Sequence, residues 1–205
     1  MASNINIIRD DSWPQGLILY TGILELDSSR KLFNHIDQLE WSEVLSRKVQ
    51  HYGYYYTYNI KEPQTQILEK TTSPPKVLKC IADALFNLGI LEDYPNQIIV
   101  NRYLPGEGIG KHRDHYPIFG KDVATLSLGS DIDMQFEPYK NMAEGDMLNV
   151  RLPVGSILVF GGDARMKWSH EIKKRKTDLV NNKKITRGVR ISVTFRHVND
   201  EFIGK

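Results

Sequence analysis

The stretch "NRYLPGEGIGKHRDHYP", from Asn101 to Pro117, sets three glycines, a lysine, two histidines and an aspartate close together, and its reading decides the fold. Three chemistries compete for it. A phosphate-binding P-loop anchored on Gly110-Lys111 needs glycine at 105 and serine or threonine at 112. The chain has Pro105 and His112 there. Glycines 106, 108 and 110 follow a strand-like run but open no helix, so a dinucleotide fingerprint is unsupported. The His-Arg-Asp triplet of a kinase catalytic loop requires asparagine five residues on, where Phe119 stands. A metal site fits better. His112 and Asp114 are separated by one residue, and alternate side chains of a strand share a face. Imidazole plus carboxylate suits a borderline divalent ion, and a second, distant histidine would complete a two-His, one-carboxylate set with open positions.

That histidine is sought downstream. His170 lies in "MKWSHEI", after the strand-like "SILVFGG", and could close the third position from another strand. His35 falls on the polar side of a helix, His115 points away from the His112 face in a regular strand, and His197 ends the last strand; His51 offers no comparable relation. In "RGVRISVTFRHV" (187–198), Arg190, Ser192, Thr194 and Arg196 fall on one strand face, and Ile191, Val193 and Phe195 on the other. Two arginines aimed into an interior are costly unless anions meet them, and a dicarboxylate is the natural partner for the guanidinium fork.

The rest of the chain supplies the frame. With 205 residues, 40% hydrophobic and 25% charged, it suits one globular domain with a full core. No run reaches bilayer-spanning length and no leader-like start is seen, so the expectation is a monomeric intracellular protein, cytoplasmic or nuclear. Cys80 is the single cysteine, which excludes an internal disulfide and a thiolate-rich zinc site; it is expected to pack as a small apolar group. "LDSSRKLFNHIDQLEW" (26–41) predicts a helix capped by Ser28 or Ser29, with Leu32, Phe33, Ile36 and Leu39 on one stripe. A second helix is predicted after Pro74-Pro75, with Val77, Leu78, Ile81, Leu85 and Phe86 apolar and Gly89 ending it. Six short strand-like runs follow: "QIIVNRYL", "VATLSLG", "DMQFEP", "DMLNVRLP", "SILVFGG" and "GVRISVTFRHV". Helices first and strands after predict an α+β domain with a sandwich or barrel core.

Charge is uneven. Residues 165–190 hold ten lysines and arginines against two acidic residues, about +8, which leaves about −6 for the rest of a chain whose total is +2. Such a segment is either a solvated surface or a surface that meets phosphates.

Four blocks, "NRYLPGEGIGKHRD", "TLSLGS", "WSH" and "RISVTFR", resemble in order and spacing the AlkB family of iron(II)/2-oxoglutarate dioxygenases, over roughly residues 47–198. The resemblance implies a double-stranded β-helix, or jelly roll. Residues 1–95 would be an N-terminal extension with helices and a substrate lid, and 96–198 the catalytic core. It implies that His112, Asp114 and His170 bind Fe(II), that Asn101 and Tyr103 contact 2-oxoglutarate, and that Arg190 pairs with its distal carboxylate. Arg196 matches a second arginine near the metal end. Ser192 stands where the founding alkylation-repair enzyme has asparagine, as in the branch that modifies wobble uridine of tRNA.

With dioxygen, the implied reaction turns the cosubstrate to succinate and carbon dioxide while oxidising a substrate C–H bond; an N-methyl group so hydroxylated leaves as formaldehyde. The implied partner is single-stranded DNA or RNA, including tRNA, because the target base must leave its stack. Demethylation of alkylated bases leads, ahead of hydroxylation of a modified tRNA base and of a protein or small-molecule oxygenase. Within the lid-like "RKVQHYGYYYTYN" (47–59), Tyr54, Tyr56 and Tyr58 would share one face and offer rings for stacking. Trp168 is a further substrate candidate, and Lys173, Lys174 and Arg175 are candidates for phosphate contact.

Overall fold

A computed structural model describes residues 5–43, 47–57, 65–140 and 142–204. Two short strands open the chain, β1 (Asn6–Ile8) and β2 (Leu17–Thr21), followed by helix α1 (Leu26–Asp37). Strands β3 (Lys48–Tyr52), β4 (Tyr54–Tyr55) and β5 (Glu69–Lys70) lead to helix α2 (Lys76–Asn87). The second half begins with β6 (Gln97–Tyr103), β7 (Ile109–His112), β8 (Phe119–Leu128) and β9 (Ile132–Pro138). It continues through β10 (Leu148–Leu152), β11 (Ile157–Phe160), the short helix α3 (Gly162–Met166) and β12 (Trp168–Ile172). The hairpin β13 (Thr177–Val180) and β14 (Lys183–Thr186) precedes the long β15 (Arg190–Val198).

Seven strands form one antiparallel sheet in the order β1-β2-β11-β8-β15-β6-β3, and four form a second, β10-β9-β12-β7. The two stack as a jelly roll, so that sequence-distant strands become neighbours. The helices lie on the outer face of the large sheet. Leu32 and Ile36 of α1 and Leu78, Ala82 and Leu85 of α2 pack there on Ile98, Val100, Leu126, Ile191, Val193 and Phe195. Between the sheets a second cluster joins Leu17, Leu19 and Leu158 to Phe136, Val150 and Leu152. Strand alternation explains the division of labour: on β6 the even residues Ile98 and Val100 feed the helix side, while Ile99, Asn101 and Tyr103 face a cavity on the other.

Several local expectations are corrected. Helix α1 begins after Glu25, so Ser28 and Ser29 are inside it, and Ser29 is buried. Cys80 is exposed, because it lies two residues, about 200° of helix, from the buried Leu78. Phe86, near the end of the helix, is 41% exposed with its ring edge-on to Tyr94. Gly89 does end α2: it adopts φ +65°, which favours glycine, and the amides of Gly89 and Ile90 return to the carbonyls of Phe86 and Leu85. The N-terminal region also supplies β2 and β3 to the main sheet, where β3 pairs with β6 across the 95/96 boundary. Among the described residues no helix is long and apolar enough to cross a membrane.

Candidate active site

A cavity of about 860 Å³ opens between the sheets and takes in residues from every block singled out in the sequence. Its floor is β15. Arg190, Ser192, Thr194 and Arg196 all line it, as alternation requires, while Ile191, Val193 and Phe195 lie beneath the helices. Register then fixes the neighbours: Ser192 faces Asn101 on one side and Ser127 on the other, and Arg190 faces Tyr103.

His112 ends β7 and stands opposite His170 on β12, their rings 4.3 Å apart. Asp114 arrives differently. Strand β7 stops at His112, so Asp114 belongs to the following turn and the alternation that should have aligned it does not apply. Arginines hold it instead: Arg196 Nη1 donates to Asp114 Oδ1 at 2.6 Å, and buried Arg165 donates to the Asp114 carbonyl at 2.5 Å. The second carboxylate oxygen lies 3.9 Å from His170 Nε2. The same turn brings His115 to the cavity wall, where the Tyr56 hydroxyl contacts its Nδ1 through a short hydrogen bond, contrary to the expectation that it points away.

The protonation states suit ligation. Burial lowers the His170 pKa to about 3 and lowers that of His112 as well, so both rings are neutral. For Asp114, burial alone would favour the acid, but Arg196 and its other cationic neighbours outweigh it and keep the carboxyl below its ordinary value. His112 Nδ1 faces the Gly110 carbonyl at 2.8 Å, which orients the ring and leaves Nε2 as its open donor. Among the described residues no group of three or more His, Cys, Asp or Glu side chains is already spaced to hold a metal ion. The 3.9 Å separation is wider than the ~3 Å edge expected between neighbouring ligands held at ~2.1 Å from an ion. Two neutral imidazoles and one carboxylate, side chains of the kind a divalent first-row metal takes, nevertheless converge on the same cavity.

Arg190 lies at the other end. It is 1% exposed; its Nε donates to Ser127 Oγ at 3.0 Å, while Nη1 and Nη2 have no partner among the described residues. Burial lowers its pKa to about 10, which still leaves it charged at neutral pH. A buried cation with two open, parallel donors fits a carboxylate in a fork. Tyr103 lies beside it, with the guanidinium carbon 5.6 Å from the ring centroid.

Sequence reasoning passed over Arg47, although it begins a quoted block. Its Nε donates to Asn101 Oδ1 at 2.8 Å, which turns the Asn101 amide nitrogen the other way. It also passed over Arg165, whose charge looked like part of a basic run but is 2% exposed and caps three carbonyls, those of Asp114, His115 and Phe119. The signal was weak in both cases, because neither partner is near in sequence.

Other candidates are placed elsewhere. Trp168 shares the His170 face of β12 but sits two residues along it, 5% exposed in the inter-sheet apolar cluster and outside the cavity wall. Tyr56 lines the cavity but is 7% exposed, with its ring against Phe119 and His115. Tyr54 packs beside Val49 and Leu68, away from the cavity; Tyr58 lies outside the described residues. In the basic segment, Lys173 pairs with Glu171, and Arg175 is engaged by Asp178 and Asp133. Lys174 is exposed and has no ion pair among the described residues.

This architecture agrees with the comparisons to known proteins. Residues 21–196 match the 2OG-Fe(II) oxygenase superfamily. Protein L905 of Acanthamoeba polyphaga mimivirus is 36% identical over 175 residues, 85% of this chain and 81% of that protein. The mouse tRNA (carboxymethyluridine(34)-5-O)-methyltransferase ALKBH8 is 32% identical across 95% of this chain, which spans 33% of the mouse protein. Among solved structures, that titled OsALKBH1 superposes with a TM-score of 0.61 at 18% identity, covering 94% of this chain and 99% of the other. The chain belongs to the 2OG-Fe(II) oxygenase superfamily, and AlkB homologues are among the proteins it is similar to. It is an Fe(II)/2-oxoglutarate-dependent dioxygenase, and the family's cofactors are Fe(II), 2-oxoglutarate and dioxygen.

Proposed function

We propose that this dioxygenase oxidises alkyl groups on nucleobases of single-stranded DNA or RNA, with removal of N-methyl groups from alkylated bases as its leading reaction. The observation that carries the reading is the buried Arg190 fork with its two open donors, in the same cavity as His112, Asp114 and His170. In this reading those three residues hold Fe(II), and bound iron with its cosubstrate supplies the oxidising chemistry. Arg190 grips the distal carboxylate of 2-oxoglutarate, while Asn101 and Tyr103 complete the cradle along β6 and Ser192 leaves room beside them. Arg196 keeps Asp114 ionised and aimed. Neutral His112 and His170 need lose no proton before ligation.

Hydroxylation of a modified tRNA base is a second reading. It is favoured by the ALKBH8 methyltransferases of mouse and Macaca fascicularis, both above 30% identity over most of this chain, and by Ser192. A probable RNA/DNA demethylase, ALKBH6 of Danio rerio, is 25% identical and supports the first. Succinate formation from 2-oxoglutarate with iron(II) and ascorbate tests the oxygenase, and mass spectrometry of methylated oligonucleotides and of bulk tRNA separates the two readings. No change in either nucleic acid pool, with succinate still produced, defeats both.

A further inference from the structure

A base drawn into this cavity needs a flat surface to lie on, and the rings expected to provide one are occupied. Six aromatic residues among those described line the cavity: Tyr56, Tyr103, Tyr116, Phe119, Tyr139 and Phe160. Phe119 and Phe160 are buried at 1% and 2% exposure, and Tyr56 is held against His115. Tyr103 is flanked by the guanidinium groups of Arg47 and Arg190. Tyr116 and Tyr139 remain. Tyr116 is 57% exposed at the mouth, whereas Tyr139 is half-buried just beyond β9, its amide bonded to the Lys167 carbonyl at 2.8 Å.

Tyr139 carries an unusual companion. The guanidinium carbon of Arg113 lies 3.8 Å from its ring centroid, and Arg113 Nη1 donates to the Met166 carbonyl at 2.5 Å with the Met142 sulfur at 3.6 Å. An arginine needed only for solubility extends into water. This one is stacked on a ring and tethered at one corner, which immobilises a planar cation. It is also the residue between His112 and Asp114, and it lines the same cavity as these two and His170. A planar group resting on it lies within the cavity that holds the proposed metal ligands.

We propose that Arg113, backed by Tyr139, is the stacking platform for the substrate base. The inference rests on the nucleobase reading above and adds to it the surface that receives the base. Nucleobases stack on guanidinium planes as on aromatic rings, without demanding a particular sequence. Tyr139 fixes the plane by covering one of its sides, and Met142, 48% exposed, extends the apolar margin.

The test uses the full chain loaded with Mn(II) and 2-oxoglutarate, and a single-stranded oligonucleotide whose target base is itself a fluorescent alkylated adenine analogue. Arg113→Met and Tyr139→Leu should each weaken binding about tenfold and lose the quenching that accompanies stacking. The double variant should lose little more than either, since the two act as one unit. Arg113→Lys keeps the charge without the plane, so it should retain most of the salt-dependent affinity and still lose the quenching; Tyr139→Phe should keep both. Melting temperatures identify any variant that fails to fold, and the conservative pair then carries the comparison. Wild-type affinity and quenching in folded Arg113→Met and Tyr139→Leu overturn the platform alone. Failure of the wild-type protein to bind any oligonucleotide, while it still converts 2-oxoglutarate, overturns the platform together with the nucleobase reading.

Discussion

Arg187 and Arg190 are three residues apart, both essentially buried, and they have opposite fates. Arg187 is closed: Nε and Nη2 donate to the two oxygens of Asp178 at 3.0 and 2.6 Å, and Nη1 donates to the Lys173 carbonyl at 2.7 Å. Arg190 bonds to one serine and leaves two donors open into the cavity. Burial of a cation is costly in both places, but only the first is compensated within the chain. A completed network holds the fold together, and an incomplete one is waiting for a ligand. Asp178 strengthens the contrast, because Arg175 and Arg151 also donate to it, at 2.8 and 3.2 Å, and fasten the β13–β14 hairpin to the body of the protein.

The comparison breaks most violently at Asp178. Asp178→Ala leaves Arg187 buried without a counter-charge, a loss of about 3–5 kcal/mol, so thermal unfolding should move down by roughly 10 °C. Calorimetry reads this directly, and a shift of only a degree or two would show that the knot is not structural. Arg190→Met should do the reverse. It removes a charge that nothing in the chain compensates, so stability should hold or rise, while 2-oxoglutarate affinity measured by calorimetry in the presence of Mn(II) falls about 100-fold. Arg190→Lys, with a point charge and no fork, should recover part of that loss.

What the sequence disclosed follows the same division. Alternation on β15 is a property of successive residues, so the cavity face and the helix face could be read directly, and His112 and His170 were found as candidates for adjoining strands. Helix α2 was legible from Pro74-Pro75 to Gly89 for the same local reason. Partnerships were not. Alternation set Arg190 apart, but Arg165, Arg175 and Arg187 counted equally in a run of positive charge, and only tertiary structure sorts them, with Arg165 reaching a carbonyl 51 residues away. The tyrosines at 54 and 56 looked like stacking surfaces because periodicity reports a face, not what already covers it.

Sorting the basic segment changes which residues should meet nucleic acid. Lys174, Lys176, Lys183 and Lys184 are exposed and have no ion pair among the described residues, whereas Lys173 and Arg175 are paired. Charge reversal at Lys174, Lys183 and Lys184 together should weaken oligonucleotide binding about tenfold at moderate salt and flatten the logarithmic salt dependence by about two on a single strand. Arg175→Glu should instead act on stability. Equal salt slopes for wild type and the triple lysine variant would return the hairpin to an ordinary solvated surface.

The smallest effect concerns a third kind of buried cation, one that the fold prevents from forming. His51 on β3 packs 4.6 Å from the Tyr55 ring, and burial, reinforced by Arg196 and Arg47, lowers its pKa to about 4. The unfolded chain takes up this proton near pH 6.5, but the folded chain does not until about pH 4. Stability is therefore lost as pH falls through that window, with no contribution above it. Half-buried and partly screened, His51 should account for about 1 kcal/mol at pH 5. His112 and His170 act in the same direction, so His51→Gln should flatten the profile between pH 6.5 and 5 without abolishing it, measured in metal-free protein with chelator. Asp114 and Asp178 are held below their ordinary values and do not titrate there. A His51→Gln profile parallel to wild type would mean that His51 accepts its proton as readily in the fold as outside it, and that Arg47 and Arg196 exert their charge elsewhere.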